Sequence, residues 1–442
     1  MRSIGADVCI IGAGAAGLTL ARELSGSRLS VCLLESGSRS PAPVEDPRYD
    51  VVSTAQHVAR ESRVRAYGGT MTVWSGRWKR FDAIDLAPRA WVPHSGWPLT
   101  LDDLAPFYER ADRAAGFRPV ATPPSPLRST ALVPSVFWSQ PVAQRNWGLR
   151  MLEASNLRVL LDSHVVRLDR SNRAVTRVIV AGDVEITARV VVVAAGGIEN
   201  ARLLLLSDLG NEHDQVGRYY MDHPKARHGM VEAYEPIPTQ PWESIAEDSP
   251  VYLGFRLADE LQREHRTLNS HVLFQPMFDR GVPGRIARRL RKPTSCRMLA
   301  VRNYLEQPPD PENRVTLHSS RDDLGLPKAA VHWRIGEHEL ETMRVFHRVL
   351  RHELQRSGLG ELDSALLHGG QMDLVDASHH MGTTRMGHDP RTSVVDPSCR
   401  VHALDNLFVA GSSVFPTGGY ANPTATLCAL AIRLADHLEA IA

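Results

Sequence analysis

Continuous apolar runs alternate with helical stretches at the start of the chain. Residues 8–11 (Val-Cys-Ile-Ile) are apolar without a break, which predicts a parallel strand buried on both faces. A glycine-rich turn follows, and residues 15–24 carry apolar positions at helical spacing. Residues 29–35 predict a second strand that ends in Glu35. That makes a β-α-β unit in about 30 residues, the length such a unit needs. Residues 36–50 are rich in Ser, Pro and Asp and predict a loop, and 98–115 predict a helix with Leu101, Leu104, Phe107 and Ala111 on one face. Residues 156–180 read as several short strands with Asn172 in a turn. Residues 185–195 form another buried run, closed by Gly196-Gly197 before a helix at 198–206.

The texture changes over 226–374. Segments 251–255, 271–278, 297–304 and 314–317 predict strands of an antiparallel sheet, with a turn at Pro308-Pro309-Asp310-Pro311. Residues 337–357 predict an amphipathic helix that Gly358-Leu359-Gly360 stops. Near the end, 404–410 read as a strand. A helix over 423–441 opens on Pro423, whose missing N–H costs nothing there.

At 442 residues the chain is long for one core and comfortable for two domains. Hydrophobic content of 43% and charged content of 23% are ordinary for a globular protein, and a net charge of +1 gives no reason to expect nucleic acid. The apolar stretches at 8–11 and 190–195 are too short to span a bilayer. Met1-Arg2 leads straight into a strand with no small-residue cleavage site, so no secretory leader is expected. The five cysteines are an odd number; Cys9 and Cys32 fall on apolar strands and Cys428 in the last helix. Reduced, buried thiols and a cytoplasmic location are the expectation. The basic run Arg285, Arg288, Arg289, Arg291, Lys292 reads as a solvated helix face rather than a membrane-binding one.

The first turn reads Gly12-Ala13-Gly14-Ala15-Ala16-Gly17. It follows a strand, opens a helix and has Glu35 about 20 residues on, the context a dinucleotide fingerprint requires. Gly12 permits the tight turn, Gly14 lets a pyrophosphate approach the backbone, and Gly17 allows close helix–strand packing. The helix start, at Ala15 and Ala16, offers unpaired N–H groups and a partial positive charge to the phosphates. Glu35 can accept both ribose hydroxyls and would repel a 2′-phosphate. Since a strand–glycine–helix unit recurs at 185–206, the dinucleotide domain is expected to be discontinuous.

Two further motifs carry chemistry. Residues 379–387 read His-His-Met-Gly-Thr-Thr-Arg-Met-Gly, and later in the chain Asn422 opens Asn-Pro-Thr-Ala-Thr before an apolar run. With the N-terminal fingerprint, these resemble the glucose-methanol-choline (GMC) family of FAD-dependent alcohol oxidoreductases. The tail Gly419-Tyr420-Ala421-Asn422-Pro423-Thr424 looks closest to the pyranose-oxidase-like, sugar-oxidising branch. The likeness runs through nearly the whole chain and is looser over 226–374.

The resemblance implies an α/β fold: a discontinuous Rossmann-type FAD-binding domain from 1–85, 155–225 and 375–442. A substrate domain of antiparallel sheet and helices, with connecting segments, would come from 86–154 and 226–374. It implies that Gly68, Gly69, Thr70 and Thr72 run along the flavin and that the backbone of Val165 reads the adenine. Gly411 and Ser412 would lie by the pyrophosphate, and Asn422, Pro423 and Thr424 would start a helix aimed at the flavin pyrimidine. Val73 stands where pyranose-oxidase-like members carry a histidine bonded to FAD, so non-covalent FAD is expected. Asp222-His223 is expected to be structural beside the flavin, and Arg385 either assists there or forms a structural ion pair.

Alcohol oxidation needs a hydride acceptor, a proton acceptor near neutrality and a donor for developing alkoxide charge. By the resemblance, flavin N5 is the first, His379 the general base and Asn422 the donor. His380 would point the other way, as neighbours on a strand do. No metal ligand set is assigned. The expected substrate is a small alcohol, a sugar, glycoside or cyclitol, with oxygen or another molecule reoxidising the flavin. The rival reading is a non-redox lyase of the same fold, like the hydroxynitrile lyases.

Overall fold

The structure, a computed structural model, describes residues 2–41, 50–117, 125–139, 153–238, 242–246, 249–277 and 295–441. The basic run at 285–292 lies outside them.

A seven-stranded sheet organises the first unit. In order it runs Leu157–Leu160, Val31–Leu34, Arg2–Ile11, Val184–Val193, Ala174–Val180 and Val165–Ser171, with Leu407–Val409 also pairing Val184–Val193. The central strands are parallel, with Val8 beside Val31 and Val190, Val31 beside Leu157, and Leu407 beside Val191. They are the continuous apolar runs of the sequence, and consecutive residues along them are buried, as in a strand covered on both faces. Val8, Ile10, Leu33, Val192 and Phe408 are fully buried. Every parallel strand ends at the same edge, so the segments after Ile11, Leu34, Leu160, Val193 and Val409 converge there. In open α/β sheets, ligands bind at that carboxyl edge.

Helices Ala15–Glu23 and Thr424–Ile441 pack together on this sheet, and Leu101–Ala115 lies on the latter. Thr100 caps Leu101–Ala115 through a capping box with Asp103, and Gly116 ends it in the left-handed region. Tyr108 Oη meets Thr426 Oγ1 at 2.7 Å, and Arg110 bonds both Asp436 and Glu23. This helix falls in the segment that the sequence grouped with the substrate domain; it packs on the helices of the first unit and also accepts from Trp78 of the second sheet (Nε1 to Asp112 Oδ1, 2.7 Å).

The second unit is an eight-stranded antiparallel sheet in the order Gly360–Asp363, Lys225–Pro238, Ser295–Leu305, Ser270–Met277, Ser249–Leu257, Leu132–Ser139 and Arg77–Trp78, with Glu243–Ala246 on Ser249–Leu257. One face packs Val301, Val272, Phe274, Leu253 and Phe255 with Met343, Phe346 and Leu350 of helix Glu337–Arg356. The other face turns toward the first unit. The strand expected at 314–317 does not join this sheet. It runs Arg314–Arg321 and pairs with Pro327–Trp333, which pairs in parallel with Val52–Ala55. Val315 is also tied to Gly217 (N to O, 2.8 Å). These partners are remote in sequence, so periodicity showed the strand but not its sheet.

Candidate active site

The carboxyl edge of the parallel sheet encloses a cavity of about 460 Å³. Gly12 sits at φ +107°, and a Cβ there would lie 2.5 Å from the Ala194 carbonyl oxygen. Only glycine fits where these two strand ends touch. A Cβ on Gly17 would lie 1.9 Å from the Gly12 oxygen, so helix and turn meet backbone to backbone. A Cβ on Gly14 meets nothing within 4 Å and would project into open space. That gap over a helix N-terminus is the cradle a pyrophosphate needs. Ala15 and Ala16 line it as well.

Glu35 is buried against the same turn. Its Oε2 accepts the Ala13 N–H at 2.9 Å and its Oε1 the Gly37 N–H at 2.8 Å. Burial pushes its carboxyl above the ordinary carboxylate range, against those hydrogen bonds. It lines the cavity with Val165, on the side where a ribose and its base would lie. Gly69 and Thr70 line it too, and a Cβ on Gly69 would come within 3.0 Å of Gly14 Cα, so the two glycine segments touch. Asn200 ties the second glycine turn to the tail: Oδ1 accepts the Ala195 N–H at 2.7 Å, while Nδ2 donates to Ala410 O (3.1 Å) and Ser413 Oγ (2.8 Å). Gly411, Ser412, Pro423 and Thr424 complete the wall. The helix Thr424–Ile441 therefore starts at the cavity, with its positive end toward it. The residues fit a flavin dinucleotide: an acid at the sugar end, an open glycine cradle and a second helix start at the far end.

Three residues assigned to the cofactor do not line the cavity. Gly17 serves the packing just described. Gly68 donates its N–H to Ala13 O at 2.8 Å, and Thr72 gives its hydroxyl to Gly69 O at 2.8 Å. These contacts hold the wall together. Val73 lines the cavity and is 61% exposed.

At the far end of the cavity stand His379 and Asn422, with Asn422 Nδ2 at 3.1 Å from His379 Nε2. On its other side His379 Nδ1 lies 2.9 Å from His223 Nδ1, and His223 Nε2 lies 3.2 Å from Gly418 O. This chain of contacts has one consistent proton assignment. A carbonyl only accepts, so His223 Nε2 carries a proton and donates. Burial holds the His223 pKa down to about 4, so at neutral pH its Nδ1 is bare and accepts from His379 Nδ1–H. Burial, then His223 and Lys225, hold His379 well below the ordinary histidine range. His379 is therefore neutral with a bare Nε2, and Asn422 must present its NH₂ to it. The sequence had set His223 aside as structural. No local signal links it to His379, 156 residues away.

The backbone of this loop is strained and anchored. Ser378 holds φ +67°, and Asp376 accepts its N–H. Asp222 Oδ1 accepts the N–H groups of His379 (3.1 Å) and Ala377 (3.3 Å). His380 also lines the cavity, with its Nε2 at 3.9 Å from Asp376 Oδ2 and its ring beside Tyr220. Asp222, Asp376 and His380 each offer an atom within 4.8 Å of the others, a spacing that could hold a metal ion. Burial pushes the Asp222 carboxyl up to about 7, so the trio also suits a shared proton. Arg385 forms no ion pair among the described residues. It donates to His94 O at 2.7 Å and lies over the Tyr219 ring.

The family model described as FAD dependent oxidoreductase matches residues 7–267, and that described as GMC oxidoreductase matches residues 309–431. The chain belongs to the FAD-dependent oxidoreductases, and its residues 309–431 resemble the GMC oxidoreductases. It is 27% identical to 6‴-hydroxyparomomycin C oxidase of Streptomyces lividus, over 98% of this chain and 92% of that one. It is 25% identical to the large subunit of fructose dehydrogenase of Gluconobacter japonicus, over 99% and 98%. In fold it matches pyridoxine 4-oxidase from Mesorbium loti with a TM-score of 0.63 at 20% identity, covering 98% of each chain. The expected kinship to pyranose oxidases is narrower. Pyranose 2-oxidase of Tricholoma matsutake is 47% identical, but over only 14% of this chain. This chain is an FAD-dependent enzyme. No helix among the described residues is long and apolar enough to cross a membrane.

Proposed function

We propose that this enzyme oxidises a secondary or primary alcohol of a sugar, glycoside or cyclitol to a carbonyl, with His379 as general base and Asn422 as hydrogen-bond donor. The observation that carries this is the His379–Asn422 contact of 3.1 Å in the cavity wall, with Nε2 of His379 unprotonated. A substrate hydroxyl would replace that contact, the two side chains parting to take its oxygen between them. Its O–H donates to His379 Nε2, and Asn422 Nδ2–H donates to its oxygen. As the C–H bond breaks, His379 takes the hydroxyl proton and Asn422 stabilises the oxygen's rising charge. FAD, when bound, supplies the hydride-accepting N5. The sugar and aminoglycoside names of the full-length relatives support a polyhydroxylated substrate.

We also infer that FAD is held without a covalent bond, since Val73 has no nucleophilic atom to offer. Acid precipitation of the yellow protein should release all flavin into the supernatant; flavin left in the pellet would refute this. The main test is the anaerobic visible spectrum before and after a panel of sugars, glycosides and cyclitols. Bleaching by one of them is the expected result, and readmitting air then tests oxygen as the acceptor. A flavin band that no alcohol bleaches would refute the redox reading.

A further inference from the structure

The sheet face opposite the hydrophobic core carries several cations with no carboxylate partner among the described residues, beside the proposed active site. Val301 and Leu299 point into the core, so Arg302 and Tyr304 point to the other face. By register, Tyr304 lies beside Lys225 on one side and His271 on the other, while Arg302 lies beside Arg227 and Leu273. His271 stacks on Tyr304 (4.8 Å between ring centres) and approaches Tyr420, two residues before Asn422. Lys225 exchanges backbone hydrogen bonds with Val375, at the start of the loop that carries His379. Arg77, on the last strand of the sheet, lines the cavity itself. This face therefore fronts the His379–Asn422 pair.

Among the described residues none of Arg77, Lys225, Arg227 and Arg302 has a carboxylate partner. Arg77 donates to Tyr304 Oη at 3.0 Å and lies 5.2 Å from the Tyr252 ring centre, while Arg302 lies 6.0 Å from that of Tyr304. Among the described residues Arg227 meets the Met277 sulfur. The nearby Lys79 and Arg256 are matched to Asp82 and Asp259. The acids on the same face, Glu232, Glu361 and Asp363, lie past the bulge between Arg227 and Met230, and none of them pairs with these cations among the described residues. Arg77, Lys225 and Arg302 are half-buried. Cations held together on a half-buried face repel one another, and a bound anion relieves that repulsion. Two guanidinium groups against aromatic rings suit one ligand type: a carbohydrate ring to lie on the aromatics and an oxyanion for the planar forks.

We infer that the substrate is an anionic polyol, an alcohol that also carries a carboxylate or a phosphate, with Arg77 and Arg302 binding the anion and Lys225 adding to the field. This rests on the alcohol-oxidising reading above and names its substrate class. The test is an equilibrium titration of the oxidised holoenzyme, following the shift of the flavin band, with matched ligands: glucose, glucuronate and glucose 6-phosphate. An anionic member should bind at least about tenfold tighter than its neutral twin, and the ratio should shrink at high salt. The two anions tell carboxylate from phosphate. Arg302→Gln and Arg77→Gln, each retaining the flavin spectrum, should lower the ratio several-fold. Equal constants for neutral and charged twins, no shift with either anion, or a ratio unchanged in both variants would overturn the inference. Because binding is read without turnover, these outcomes are separate from failure of the flavin to bleach, which bears on the redox reading alone.

Discussion

Replacing His223 with leucine cuts the hydrogen-bond chain at its middle link and leaves His379, Asn422 and the cavity wall in place. Two things are lost. His379 Nδ1–H loses its acceptor at 2.9 Å, and the ring loses the contact that fixes its orientation. A buried hydrogen bond is worth about 0.5–1.5 kcal/mol net, so the Nδ1–H tautomer loses roughly that advantage over its rival. At about 1.4 kcal/mol per decade, the tautomer effect alone slows the reaction about 2- to 13-fold. Loosening the ring adds to this, since misplacement of a reacting group by an ångström can cost about a hundredfold. The expected loss in the rate of anaerobic flavin reduction is therefore about 10- to 100-fold, with little change in substrate affinity. His223→Gln offers a side-chain carbonyl to His379 Nδ1–H and should recover most of the loss. Stopped-flow flavin bleaching, with flavin content as the folding control, measures both variants. Leucine reducing flavin at the parent rate, or glutamine rescuing nothing while holding flavin, would refute the tautomer argument.

The same base sets a pH profile. His379 acts only when neutral and its pKa is held down, so flavin reduction should stay flat as pH falls through 6.5 and drop only well below it; a midpoint at or above 6.5 would contradict the assignment. The glycines separate folding from binding. Gly14→Val fills the open cradle and should give folded, colourless protein, whereas Gly17→Val puts a Cβ 1.9 Å from the Gly12 oxygen and should prevent soluble expression. Visible absorbance and circular dichroism distinguish the two results. Arg89 and Glu306 form a bidentate pair with side-chain exposures of 2% and 0%. Arg89→Met leaves a buried carboxylate unmatched and should cost about 3–5 kcal/mol in urea unfolding. Adding Glu306→Leu should restore part of this, the remainder being the orphaned Asn269 N–H that Glu306 now accepts at 2.8 Å.

The parts of this enzyme that were legible in its sequence are those fixed by local backbone shape. A strand buried on both faces must be apolar throughout, so 8–11, 29–35 and 185–195 announced the parallel sheet. A turn with no room for a side chain must be glycine, so Gly12 and Gly17 announced the helix–strand crossing. Where an element's place depends on a partner far along the chain, local pattern reveals its existence but not its address. Arg314–Arg321 was recognisable as a strand, yet it belongs with Pro327–Trp333 and Val52–Ala55. His223 followed the same rule. Its neighbours in sequence are Asp222 and Pro224, but its chemistry comes from His379 and Gly418, brought to it by two separate chain returns. Arg77, Lys225, Arg227 and Arg302 are scattered over three strands with no motif among them, and only the register aligns them on one face. A cofactor cradle is built from one turn and can be read as a word. A substrate-recognition face is assembled across strands, and its charge becomes visible only once they are paired.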